Sequence, residues 1–277
     1  METMLPFQAR SSRIPVIALL FAGVLPLVAA DDHKGVNLYS VQQEIALGHQ
    51  MSAEVEKQAH LINDPIIAEY VNRLGRNLAM RANADFPVTV KMIQSDEINA
   101  FTLPGGFVYV NSGVMKMADN EAELASVIAH EIGHAAARHA TRQATRGQLA
   151  GFLTAPLAVM TGWRGLAARE TVNAAAPVAS LHFSRAFETE ADVLGVGYLS
   201  QAGYDPEASI DMFERIESME HKKPGAVSKL FLSHPPAGDR IAKAQASIGR
   251  LKQNSGDYIL NTSEFEVIRQ RLINTDR

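Results

Sequence analysis

Cysteine is absent from this chain of 277 residues. Its absence excludes disulfides, thiol nucleophiles and thiolate metal ligands, and with them a lipid-modified N-terminal cysteine as an anchor. No block of basic residues stands out. Lysine and arginine number 26 against 30 acidic residues, a net charge of −4, so no nucleic-acid partner is expected. After residue 30 no apolar run approaches the roughly 20 residues of a membrane helix. Internal repeats are missing too, so partner recognition through a helical-repeat array is not expected. What remains is 47% hydrophobic and 20% charged, the composition of an ordinary globular protein. The length permits one large or two small domains.

The one long apolar stretch is at the start. Arg10 and Arg13 precede an uncharged run from Ile14 to Leu27, and Val28-Ala29-Ala30 places small residues before Asp31-Asp32. This is the pattern of a secretory signal peptide with cleavage after Ala30, the alternative being a retained anchor. Residues 1–30 are read as the signal and 31–277 as the mature domain, exported to a bacterial periplasm and without a transmembrane segment.

The most specific motif is His130-Glu131-Ile132-Gly133-His134. The surrounding Glu121–His139 stretch is rich in helix formers. Asn120 and Glu123 stand in capping-box positions, and Leu124, Val127, Ile128 and Ile132 recur at helical spacing. A helix is expected from about 120 to 145. On it the two histidines are about 40° apart and one turn removed, so both imidazoles can reach one zinc ion. Glu131 then lies where it can reach an attacking water without binding the metal. Gly133 implies close packing against a strand or fit to the metal site. His139, about 140° around a continuous helix from His134, reads as structural.

A catalytic zinc site needs a third protein ligand. The segment Ser184–Asp192 opens a second helix that stops at Gly203-Tyr204-Asp205-Pro206. Glu188 and Asp192 are four apart, hence on one face, whereas Glu190 points elsewhere. Such acidic pairs are ordinarily solvated. Beside H-E-x-x-H, Glu188 reads as the third ligand, and Asp192 as the acceptor that orients a ligating histidine. Arg240 has three readings: a partner of Asp192, a contact to a substrate carbonyl, or a surface arginine.

The motifs His130–His134, Phe183–Asp192 and Ser233-His234-Pro235-Pro236 with Asp239-Arg240-Ile241, together with Asn99–Gly113, resemble family forty-eight of the metallopeptidases. That family includes the CAAX prenyl proteases and HtpX. The likeness, covering about residues 40–275, is to its periplasmic branch with BepA and LoiP. The resemblance implies an α+β fold, mostly helical and gluzincin-type, with a small β-sheet beside the zinc-binding helix. It implies one zinc held by His130, His134 and Glu188, and Glu131 as the catalytic glutamate. For His234 it implies a place near the zinc, either stabilising the oxyanion or capping the metal at rest. It implies an endopeptidase acting on unfolded or misassembled envelope proteins. A latent, chaperone-like binding protein with a capped site is the other reading.

Elsewhere, helices are expected over Val41–Gln58, Asp64–Arg81, Asp205–Lys222 and Ala237–Gln253. Strands are expected over 88–93 and 106–111. If residues 106–110 form a sheet edge, Gly106, Phe107, Val108 and Tyr109 would bind an extended substrate through backbone hydrogen bonds; otherwise the segment is a core strand. Leu149–Trp163 reads as a helix over the active site or a lid, and Gly165–Ser180 as a flexible segment controlling access.

Overall fold

The computed structural model describes residues 35–160, 183–222, 234, 240–251 and 257–275, with side chains omitted over 150–160. The signal segment, Gly165–Ser180 and the Ser233, Pro235, Pro236 and Asp239 positions lie outside the described residues. Helix α1 spans Val41–Gln58 behind a Ser40/Gln43 capping box. Helix α2 spans Pro65–Ala82, where Asp64 caps the amide nitrogens of Ile66 and Ile67 and Pro65 opens the first turn. Three strands follow, β1 (Thr89–Ile93), β2 (Ala100–Leu103) and β3 (Phe107–Asn111), then α3 (Ser112–Met117), α4 (Glu121–Ala136) and α5 (His139–Met160). Beyond these come α6 (Arg185–Gln201), α7 (Ala208–Lys222), α8 (Arg240–Leu251) and α9 (Ser263–Thr275). The result is a mostly helical α+β fold. Among the described residues no helix is long and apolar enough to cross a membrane.

Strand order is β1-β3-β2, with β1 parallel and β2 antiparallel to β3. This corrects the expectation that 106–110 form an edge. Phe107, Val108 and Tyr109 are paired on both sides, and Gly106 sits in the turn before them. The physical reason lies in the strand's residues. Val108 and Val110 enter the core, while Tyr109 is buried on the other face with its hydroxyl 2.8 Å from both Ser52 and Glu56 of α1. A strand apolar on both faces belongs in the middle of a covered sheet. The edge is β2. Asn111 N–H donates to the Asn99 carbonyl, so by alternation Ala100 and Thr102 direct their own N–H and C=O away from β3.

Helices α4 and α6 pack backbone to backbone. A Cβ on Gly133 would meet the Ala191 carbonyl oxygen at 2.8 Å, and one on Gly195 would meet the His130 nitrogen at 3.0 Å. The close neighbour implied by Gly133 is therefore a helix, not a strand or a metal. This reciprocal contact brings His130 and His134 against Glu188 and Asp192. Leu124, Ile128 and Ile132 enter the core on the opposite face of α4.

Helix α4 ends earlier than its composition suggests. Arg138 adopts φ 56°, breaking the run before His139. This conformation is uncommon for a residue with a side chain. Here it is held by Arg138 Nε donating to buried Glu44 at 2.5 Å and its Nη2 to the Tyr39 carbonyl at 2.7 Å.

Candidate active site

Four side chains converge where α4, α6 and the residues before α8 meet. His130 Nε2 and His134 Nε2 are 3.1 Å apart. Glu188 Oε2 is 3.6 Å from the first and its Oε1 3.5 Å from the second. His234 Nδ1 lies 3.4 Å from His130 Nε2 and 3.2 Å from both Glu188 oxygens. Ligands at the corners of a tetrahedron around a metal, with bonds of about 2.0–2.2 Å, are about 3.3–3.6 Å apart. The separations of 3.1–3.6 Å fit the edges of such a cage, and His234 stands beside the other three donors.

Charge gives the same answer. Glu131, Glu188, Asp192 and Arg240 are all buried, three carboxylates against one guanidinium. Buried charge is stable only when compensated; without metal the imidazolium of His234 balances part of this charge, and a bound cation would do the same. Burial alone would raise the Glu188 carboxyl, but hydrogen bonds to His130 and His234 hold it well below the usual carboxylate range. Burial likewise would lower His234, yet Glu131 and Glu188 push it up to about 10. The pocket thus favours a cation at this point.

The supports are as specific as the donors. Asp192 Oδ1 lies 2.9 Å from His130 Nδ1. Arg240 grips Asp192 through two hydrogen bonds of 2.8 Å and reaches Glu188 at 3.4 Å. Of the readings open for Arg240, the geometry is that of a partner of Asp192. Glu131 does not point into the cage. Its Oε2 accepts from Thr102 Oγ1 at 2.8 Å, the same hydroxyl lying 2.9 Å from the Glu131 carbonyl, and its Oε1 faces His234 Nε2 at 3.3 Å. Beside it a cavity of about 80 Å³ is lined by Ile98, Val114, Met117, Val127, Met212 and Phe213, with His130, Glu131 and His234 also at its wall.

Gly106, Phe107, Val108 and Tyr109 do not join this centre. Phe107 packs against His49, and Tyr109 stacks on Phe101 and bonds to α1. Two residues absent from the sequence assignment do join it. Thr102, on the edge strand β2, falls within the Asn99–Gly113 stretch that resembles the family, but nothing in that stretch singles out its hydroxyl. His139 was misplaced because the break at Arg138 swings its ring back, setting its Nδ1 2.8 Å from His134 Nδ1. Burial lowers His139 to about 4, so at neutral pH it is uncharged.

Thr102→Val keeps shape and removes the hydroxyl. Loss of one hydrogen bond to a charged group costs about 1.5–3 kcal/mol; if Glu131 is the base of a reaction here, turnover should fall about 10-fold or more while metal content stays unchanged. Kinetics together with metal analysis checks both halves of that expectation.

Fold and site together are those of the H-E-x-x-H class of metallopeptidase folds. Residues 65–248 match peptidase family M48, to which the chain belongs. The Beta-barrel assembly-enhancing protease of Escherichia coli (strain K12) is 32% identical over 235 residues, covering 80% of this chain and 48% of that protein. The Mitochondrial metalloendopeptidase OMA1 of Schizosaccharomyces pombe is 33% identical over 177 residues, covering 64% of this chain and 51% of that protein. Metalloprotease LoiP of Escherichia coli (strain K12) is 30% identical over 199 residues, covering 70% and 76%. The chain therefore spans about half the length of the first two relatives.

Proposed function

We propose that this chain is a zinc endopeptidase that cleaves unfolded or extended polypeptides, exported to the periplasm and serving quality control of envelope proteins. The observation that carries the reading is the tetrahedral cage of His130, His134 and Glu188 beside Glu131 and next to the β2 edge. Two imidazoles and one carboxylate, with no thiolate, are a donor set of catalytic zinc sites. The name of the assembly-enhancing protease supports the envelope role by similarity, and the apolar run at Ile14–Leu27 supports export.

When bound, zinc polarises the scissile carbonyl and acidifies the attacking water. The chain's own residues do the rest. An extended peptide adds to the outward N–H and C=O groups of Ala100 and Thr102, and an apolar side chain beside the scissile bond enters the cavity lined by Val127 and Met212. Thr102 holds Glu131 Oε2, so Oε1 takes the proton from water and returns it to the leaving amine. Asp192, clamped by Arg240, keeps the Nδ1 proton of His130 in place and leaves Nε2 as the donor.

His234 occupies the corner that substrate needs. The arrangement is a capped, resting form, from which His234 withdraws before turnover. His234→Ala should therefore cleave unfolded casein several-fold faster than the wild-type chain, and 1,10-phenanthroline should abolish cleavage by both. A loss of about 100-fold or more in His234→Ala would instead make His234 an oxyanion donor. Zinc in both chains with cleavage by neither would favour the binding-protein reading.

A further inference from the structure

Both metal-binding histidines present Nε2 to the site, and an imidazole can do so only when its proton sits on Nδ1. For His130 a carboxylate, Asp192, selects that form. For His134 no carboxylate among the described residues contacts Nδ1. Its neighbour there is another imidazole, His139 Nδ1, at 2.8 Å. Two ring nitrogens at that distance share one proton, and from this contact alone either could own it.

The rest of the chain of contacts decides. His139 Nε2 lies 3.1 Å from Glu190 Oε2. Arg142 Nη1 donates to both Glu190 oxygens at 3.2–3.3 Å and to the Ala137 carbonyl at 3.2 Å. Paired with a guanidinium, Glu190 is ionised and only accepts. It therefore requires the proton on His139 Nε2. Fully buried against Phe187, with the Arg142 guanidinium already balancing Glu190, His139 carries a single proton; with that proton on Nε2 its Nδ1 holds a lone pair, which requires the proton on His134 Nδ1 and leaves His134 Nε2 as a donor to the metal. The opposite assignment sets a lone pair against the Glu190 carboxylate and protonates the nitrogen that must bind metal. The His139 ring is itself fixed, being fully buried and stacked on Phe187 with ring centres 4.3 Å apart.

We propose that Arg142, Glu190 and His139 form a tautomer relay that holds the proton of His134 on Nδ1 and so sets its metal-binding nitrogen. His139 and Glu190 are positioning residues, acting on the metal through His134. The inference rests on the reading of His134 as a zinc ligand, and goes beyond it in assigning function to three residues outside the cage.

The test uses the full chain, loaded with zinc. Long-range proton–nitrogen correlation of the histidine rings should show His139 with its proton on Nε2 and His134 with its proton on Nδ1. Zinc affinity, by competition with a chelator, should fall about 10–100-fold in Glu190→Gln, whose amide can donate as well as accept and no longer enforces one direction. Glu190 is partly exposed, so this change leaves the fold intact. His139→Phe, which keeps the stacked ring, should lose affinity similarly, while the metal-free chain melts at nearly the wild-type temperature. His139 protonated on Nδ1, or unchanged zinc affinity in both variants, would overturn the relay. A wild-type chain in which zinc leaves the His134 nitrogen signals unmoved would overturn the ligand reading itself.

Discussion

Glu131→Gln should abolish turnover and leave zinc bound. A positioned general base contributes about 10²–10⁴-fold to such a reaction, and the amide is a poor base of nearly the same shape. Glu131 makes no contact with the cage donors His130 Nε2, His134 Nε2 or Glu188. Its partners are Thr102 and the outer nitrogen of His234. The substitution therefore removes the proton acceptor without removing a ligand. Steady-state kinetics on unfolded casein, with metal analysis of the same preparation, checks the claim. Normal cleavage by Glu131→Gln would remove Glu131 from the chemistry, and loss of zinc would place it among the ligands.

Glu188→Ala should act on the other side of that division. Among the described residues Glu188 is the carboxylate within 3.6 Å of all three cage imidazoles. Losing a residue that merely supports a ligand costs about 10–100-fold in metal affinity; losing a ligand should exceed this, so the variant should purify largely free of metal. It should also be inactive at zinc concentrations that saturate the wild type. Competition with a chelator of known affinity reads the effect. An affinity within a few-fold of wild type would transfer the third-ligand role elsewhere, with His234 the first alternative.

How much of this was legible depended on how local each feature is. The bounds of α1 and the start of α2 follow from Ser40, Gln43, Asp64 and Pro65, which act within one turn. The three cage ligands and Asp192 follow from four-residue spacing on two helices. Strand order is different. Alternation marks Phe107–Asn111 as a strand but says nothing about which strands flank it, so edge and core strand both stay open until β1 and β2 pair on either side. The end of α4 depends on Glu44, some 94 residues away, holding Arg138 in a left-handed turn. No pattern within the helix shows that, and His139 was misplaced in consequence. Helix α9 went unassigned because only Phe265, Ile268 and Leu272 on it are buried, too sparse a stripe among polar residues to separate from a loop.

Metal dependence is the most direct consequence of a zinc-centred mechanism. Strip the full chain of metal, add zinc in steps, and follow cleavage of unfolded casein in the wild type and in His234→Ala. The account predicts no cleavage without metal, a linear rise, and a plateau at about one zinc per chain in both, with the higher plateau in His234→Ala. Cleavage by the metal-free chain, or a rate indifferent to added zinc, would contradict it.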